Sequence, residues 1–157
     1  MGDTFSKPET LLKLTSNILN TLLRGLDDVD PDTRQRILER CGETCAHEDL
    51  YGPAIETAKR IASEESDAGR IIDRANSEIQ WCGRWVIEGD TISSTCTTCG
   101  CPMMRSGLIT ATDVFCLCSV GWVKLIFTTL LGRPVKVELA QAMGRGDPRC
   151  RYVVNLS

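Results

Sequence analysis

The hydrophobic periodicity of this sequence changes once, near Trp81, and that change constrains the fold more than any other feature. Before Trp81, apolar residues recur every three to four positions, as they do on one face of a helix. After it, short runs of β-branched and aromatic residues alternate with polar residues between glycine-rich turns, a pattern typical of antiparallel strands. We therefore expect an α+β fold in a single domain, residues 1–157, with a helical part at 1–80 and a β/α part at 81–157.

Four helices are predicted in the first part because each apolar run follows a helix-start signal. Ser6 and Glu9 form a capping box, Asp30 is a good N-cap before Pro31, and Ser66 or Asp67 can cap the fourth helix. Gly52–Pro53 separates the second helix from the third. The helices are expected to end near Leu26, Ala46, Glu65 and Ile79.

The second part is predicted to contain two hairpins that flank one helix. Gly89–Asp90 is a tight hairpin turn, and glycines near Gly146 provide the second turn. The helix between the hairpins is mostly apolar, which indicates burial on more than one face. The predicted elements are strands at 84–88 and 91–95, a helix at 119–131, and strands at 135–139 and 150–156. Together they should form an antiparallel sheet packed on helices.

The charge of the chain limits its partners. A net charge of −3 over 157 residues provides no basic face for phosphates, so neither nucleic acid nor an anionic membrane is expected. The longest apolar run, 120–131, is shorter than the ~20 residues of a membrane span. The first residues do not resemble a secretion signal, so we expect the protein in the cytoplasm.

Nine cysteines are many for a cytoplasmic chain, and their odd number argues against a framework made only of disulfides. Thiolates two or three residues apart can turn back onto one ion, and Gly100 eases such a turn. Zinc, which accepts four thiolates tetrahedrally, is the predicted ion; an iron–sulfur cluster or redox-active thiols are the alternatives. The predicted ligands are Cys96, Cys99, Cys101, Cys116 and Cys118, one more than zinc needs.

A second pair, Cys41 and Cys45, lies four residues apart on a predicted helix and so on one face of it. The two thiols could bind an ion or pack as small apolar side chains, and both interpretations stay open. Gly42 between them indicates close approach by another segment. His47, the single histidine, is interpreted as a solvated group at the helix end.

The remaining cysteines and the tryptophans are expected in the interior. Cys82 and Cys150 are interpreted as core residues, with Cys150 on the inward face of its strand. The three tryptophans could line a pocket between sheet and helix, although core packing is their commoner role. They are Trp81, Trp85 and Trp122.

From Phe115 to Tyr152 the sequence resembles the 4-vinyl reductase type of domain. The matching pieces are Cys116-Leu-Cys118, Gly121, Leu131-Gly132, Pro134-Val-Lys-Val-Glu138, Gly146-Asp147 and Cys150-Arg-Tyr152. That group is similar in fold to ligand-binding domains of nitric-oxide signalling and Golgi transport proteins. The chain also resembles a bacterial group described as aminothiazoline-carboxylate hydrolase-like, which shares its cysteine-rich character.

The resemblance implies binding of a small molecule or a metal rather than one particular reaction. The predicted function is therefore a small-molecule and metal-binding module with a thiolate site. A metal- or thiol-dependent hydrolase and an iron–sulfur or redox protein are the alternatives, so enzymatic activity is left open. A small-molecule ligand is the expected partner, and a homodimer is left open.

Overall fold

The structure is a computed structural model that describes residues 8–48, 53–110 and 112–156. It has the predicted α+β architecture, in which helices precede and cover an antiparallel sheet. The helices are α1 (Pro8–Gly25), α2 (Pro31–His47), α3 (Ala54–Glu64), α4 (Ala68–Glu78), α5 (Pro102–Arg105), α6 (Thr112–Phe115) and α7 (Cys118–Leu131). The strands are β1 (Trp85–Glu88), β2 (Thr91–Cys96), β3 (Lys136–Gln141) and β4 (Cys150–Asn155).

The four strands form one sheet in the order β1-β2-β4-β3, and every neighbouring pair is antiparallel. Both predicted hairpins are confirmed, and pairing of β2 with β4 joins them into one sheet. Gly89 in the β1–β2 turn has φ +61°, a conformation that glycine adopts without strain. The connection between β3 and β4 includes the 3₁₀ turn Met143–Arg145.

The helix starts follow the expected capping chemistry. Asp30 accepts a hydrogen bond of 3.0 Å from the backbone N–H of Thr33, which begins α2. Asp67 accepts one of 3.0 Å from the N–H of Arg70 and is therefore the cap of α4. The predicted capping box of Ser6 with Glu9 falls partly outside the described residues, because Ser6 is not among them.

Two short helices lie between β2 and α7, where no helix or strand was predicted. α5 begins at Pro102 with Cys101 as its N-cap, and α6 ends just before Cys116. Helix α7 begins at Cys118, one residue earlier than predicted. The segment from Cys116 to Cys118 therefore forms the entry to a helix.

Helix α7 is the centre of the core and is buried on two sides, as its composition predicts. Val123 and Phe127 pack against inward-facing sheet residues, whereas Ile126 and Leu130 pack against α3 and α4. Among the described residues, Asp113–Leu131 has the length and hydropathy of a membrane span, a longer window than 120–131 alone. In this fold its apolar surface packs onto the sheet and the other helices.

A cavity lined by tryptophan and cysteine

One row of side chains across the sheet forms the floor of a cavity of about 520 Å³. Trp85 of β1 pairs with Ser94 of β2, Ser94 pairs with Tyr152 of β4, and Tyr152 pairs with Leu139 of β3. Directly paired residues lie on the same face of a sheet, so this row presents four neighbouring side chains to the helices. All four line the cavity.

Aromatic rings form one wall of the cavity. The Trp81 ring lies 5.3 Å from that of Trp85 and 5.0 Å from that of Trp122, both in edge-to-face contact. The Trp85 ring also lies 4.6 Å from that of Phe127 on α7. The predicted lining of a pocket by the three tryptophans is therefore confirmed, and the same rings pack into the core.

Two buried polar groups of the floor are not satisfied by the protein. The indole Nε1 of Trp85 and the hydroxyl Oγ of Ser94 are buried and have no hydrogen-bond partner within the described structure. Both residues are only 3% exposed. The backbone of Trp85, in contrast, makes two hydrogen bonds with the Asn76 side chain. Its N–H donates to Asn76 and its carbonyl accepts from Asn76, each at 2.8 Å. Unpaired buried polar atoms are costly and call for an explanation.

The opposite wall is built where α2 and α7 cross. At Gly42 of α2 a Cβ atom would lie 1.8 Å from the carbonyl oxygen of Cys118, so only glycine allows this approach. The prediction that another segment approaches Gly42 closely is confirmed. The crossing also brings Cys45, one turn further along α2, to the cavity beside Cys118.

Six free thiols line the cavity, and they come from both halves of the sequence. They belong to Cys45, Cys99, Cys101, Cys116, Cys118 and Cys150. Burial raises the pKa of the Cys116 thiol to about 11 and also raises the pKa of Cys118, with further contributions from Cys101 and Cys45. Burial raises the pKa of Cys45 and Cys150 in the same direction. These four thiols are therefore neutral near pH 7 in this structure.

Cys96 is not a free thiol, which corrects its assignment as a metal ligand in this state. Its sulfur is bonded to that of Cys82, with an S–S distance of 2.03 Å. Cys82 is exposed rather than a core residue, because it precedes β1 on the surface and reaches β2 from there. Cys150 is 9% exposed and faces inward with Tyr152 and Val154, as predicted.

The other predicted ligands lie around the cavity without forming a coordination shell. Over residues 8–48, 53–110 and 112–156, no three cysteine, histidine or acidic side chains are grouped closely enough to hold a metal ion. Cys41 is exposed on α2 and does not line the cavity, whereas Cys45 does. His47 is the exposed last residue of α2, as expected of a solvated helix-end group.

Sequence reasoning missed Ser94 and two backbone N–H groups that donate hydrogen bonds to cysteine sulfurs. The N–H of Met143 donates to the Cys150 sulfur at 3.4 Å, and the N–H of Gly144 donates to that of Cys116. Side chains alternate between the two faces of β2, so Ser94 lies on the inward face with Ile92 and Cys96. This alternation could have identified Ser94 from the sequence.

Fold and cavity together define a small α+β domain with a ligand-sized internal site. The chain belongs to DUF6144, a family of unknown function, whose profile matches residues 27–156. No curated protein matches the sequence at a significant level.

Among solved structures, the chain is similar to the phenol-responsive sensory domain of the transcription activator PoxR, whose crystal structure contains phenol. The TM-score is 0.52 and the sequence identity 17%, over 90% of this chain and 73% of that one. The similarity shows that the two proteins share a fold.

Proposed function

We propose that this protein is a small-molecule-binding module whose cavity takes an uncharged aromatic or apolar compound with one hydrogen-bonding group. The observation that carries the proposal is the pair of unpaired polar atoms, Trp85 Nε1 and Ser94 Oγ, at the floor of the cavity. A bound group that accepts from the indole and bonds the hydroxyl would remove the cost of leaving both unpaired.

The character of the walls supports an uncharged ligand. Of the described residues that line the cavity, Arg105 is the only charged one, and its side chain is exposed. Burial raises the pKa of the Tyr152 hydroxyl as well as that of the thiols, so these groups are neutral near pH 7. An anionic ligand would lose its hydration without gaining a buried counter-charge.

The comparison with PoxR provides a first probe, because the sensory domain of that activator is described as phenol-responsive. Phenol has the chemistry inferred here from the cavity: an aromatic ring and one hydroxyl. The resemblance of 116–152 to the 4-vinyl reductase type of domain points in the same direction, towards small-molecule binding, and that assignment stays a prediction.

Titration of the purified protein with phenol and with toluene tests the proposal. All three tryptophans line the cavity, so their fluorescence should report a saturable change on binding. Phenol and toluene have rings of similar size, but toluene lacks the hydroxyl. We expect Ser94→Ala to weaken phenol binding about five- to tenfold and to leave toluene binding unchanged or slightly stronger.

Ser93→Ala is the matched control, because Ser93 is the neighbouring residue on β2 and bonds Glu88 on the other face of the sheet. It should bind both compounds like the parent protein. Equal loss of phenol binding in both variants, or no saturable binding of phenol, toluene or larger phenols, would contradict the proposal.

A thiolate metal site is a second candidate, and one observation favours it. The Cys118 thiol has the thiols of Cys101, Cys45 and Cys116 near it on the wall of the same cavity. Zinc held by Cys99, Cys101, Cys116 and Cys118 would require the side chains to turn towards one point and to lose their protons.

Metal analysis of anaerobically purified protein tests the second candidate. Zinc would support a thiolate site, and iron with sulfide would support the iron–sulfur alternative. If metal is structural, Cys99→Ser should melt at a much lower temperature than Cys150→Ala, and a chelator should lower the melting temperature of the parent protein. A metal-free protein that is insensitive to chelator would exclude this candidate. The hydrolase alternative and the cytoplasmic location stay predictions.

A further inference from the structure

Helix α1 carries a stripe of large apolar side chains on its solvent side. Leu11, Leu14, Ile18 and Leu22 are 58, 52, 52 and 65% exposed. Their spacing of three, four and four residues places them on one face of the helix, here called the α1 stripe. Contiguous exposed apolar side chains on this scale are typical of interaction surfaces rather than of free protein surface.

The other face of α1 is fixed to the body of the protein. The hydroxyl of Ser16 and the amide of Asn20 both donate to the carbonyl of Leu108, at 2.7 and 2.9 Å. Asn20 also accepts from the backbone N–H of Thr110 at 2.7 Å, and Leu23 is buried against α2. The stripe is therefore presented in one orientation, which lowers the entropic cost of binding through it.

We propose that the α1 stripe is the interface of a homodimer in which the α1 helices of two copies pack antiparallel about a twofold axis that passes between Leu14 and Ile18. The spacing of the stripe reads almost the same in both directions along the helix. An antiparallel second copy therefore brings Leu11 opposite Leu22, and Leu14 opposite Ile18, twice over. A closed, isologous dimer requires such a self-complementary surface. Binding of a different protein does not require it.

The charge distribution is compatible with a second copy on this face. The chain has a net charge of −3, so two copies repel each other at long range, and an uncharged contact surface adds no local repulsion to this. At ~100° per residue, Thr15, Thr21 and Gly25 flank the stripe, whereas the charged residues of α1 fall on other faces. Near a twofold axis each residue meets its own copy, so an uncharged centre avoids like-charge contacts.

The size of the stripe predicts how tightly the dimer forms. Four half-exposed leucine and isoleucine side chains supply on the order of 300 Å² of apolar area per copy. With the flanking threonines included, the surface area buried over two copies lies in the range of weak, reversible interfaces. A concentration-dependent equilibrium between monomer and dimer is therefore expected, rather than a permanent dimer.

Sedimentation equilibrium of the full chain over a wide concentration range tests the dimer. The parent protein should pass from the monomer mass to twice that mass. Ile18→Glu should raise the dissociation constant by at least about ten- to a hundredfold, because it buries a charge near the axis beside its own copy. Asn17→Glu, the control, adds the same charge one position away on an exposed polar face and should leave the constant nearly unchanged.

Mixing two variants identifies the partner as a second copy. Ile18→Glu and Ile18→Lys should each be monomeric alone but should associate with each other when mixed. Circular dichroism and thermal melts should show both variants folded, since Ile18 is half exposed. A parent protein that stays monomeric at every concentration would overturn the proposal. A dimer insensitive to Ile18→Glu, or equally sensitive to Asn17→Glu, would overturn it as well.

Discussion

Gly42 of α2 and Gly121 of α7 lie at one helix crossing, each packed directly on a backbone carbonyl of the other helix. A Cβ at Gly42 would lie 1.8 Å from the carbonyl oxygen of Cys118, and a Cβ at Gly121 would lie 1.9 Å from that of Glu39. The ion pair between Lys124 and Glu39, at 3.0 Å, joins the same two helices. This close crossing is what brings α2 to the wall of the cavity.

Alanine at either glycine should force the two helices apart. Because the clash is with backbone rather than with a flexible side chain, we expect Gly42→Ala and Gly121→Ala each to lower the free energy of unfolding by about 2–4 kcal/mol. Gly25→Ala is the control: nothing lies within 4 Å of its Cβ position, and its φ of −65° suits alanine. Urea unfolding of the three variants checks the contrast, and equal stability of all three would contradict the packing described here.

Removal of the Ser94 hydroxyl should stabilise the ligand-free protein although it weakens ligand binding. The oxygen is buried without a partner in the described structure, so its loss removes a desolvation cost of about 1 kcal/mol. We expect Ser94→Ala to raise the free energy of unfolding by roughly that amount. Ser93→Ala, which removes a bonded hydroxyl, should not raise it. A destabilised Ser94→Ala protein would show that the hydroxyl has a partner.

The bond between Cys82 and Cys96 should make stability depend on reductant. It closes a loop with a sequence separation of 14 residues, and the lower entropy of an unfolded chain cross-linked in this way is worth about 3 kcal/mol of stability. Dithiothreitol should therefore lower the melting temperature of the parent protein but not that of Cys82→Ala. Mass spectrometry after alkylation of the unfolded, non-reduced chain should find seven modified cysteines, and nine would contradict the bond.

Local signals predicted the elements of this fold well, because their causes lie within a few residues. Asp30 and Asp67 each accept a hydrogen bond from the backbone three residues on, and the turn at Gly89 requires only its own φ. Gly42 in the same way predicted that another segment approaches α2 closely, since a glycine has no side chain to prevent it. The sequence did not indicate that this segment is α7.

The site could be predicted only in part, because it depends on pairing between distant strands. The register of β1 on β2 places Trp85 opposite Ser94. The register of β4 on β2 places Cys150 opposite Cys96. Cysteine spacing suggested one cluster, whereas the register brings Cys96 within reach of Cys82 instead. Spacing along a chain cannot distinguish a thiol that faces an ion from one that faces another cysteine.

Acid should weaken the packing of α3 on α4 by protonating Glu78, one of the carboxylates whose ion pairs join the two helices. Glu78 forms ion pairs with Arg74 of its own helix and with Arg60 of α3. Hydrogen bonds from Arg74 and then Arg60 lower the pKa of Glu78 from 4.5 to about 2. A carboxyl group whose pKa is lower in the folded state stabilises the fold above its unfolded pKa, and that contribution is lost as the pH falls through the folded pKa.

Glu78→Gln should therefore be less stable than the parent protein at neutral pH, with a difference that shrinks between about pH 4.5 and pH 2. Glu56→Gln is the control, because Glu56 is 71% exposed and pairs only with Lys59 of its own helix among the described residues. A pair this exposed contributes little to stability, so the control should follow the parent protein at every pH. Thermal melts of the three proteins from pH 7 to pH 2 measure both differences. A difference between Glu78→Gln and the parent that does not change over this range would show that the glutamine disturbs packing rather than charge.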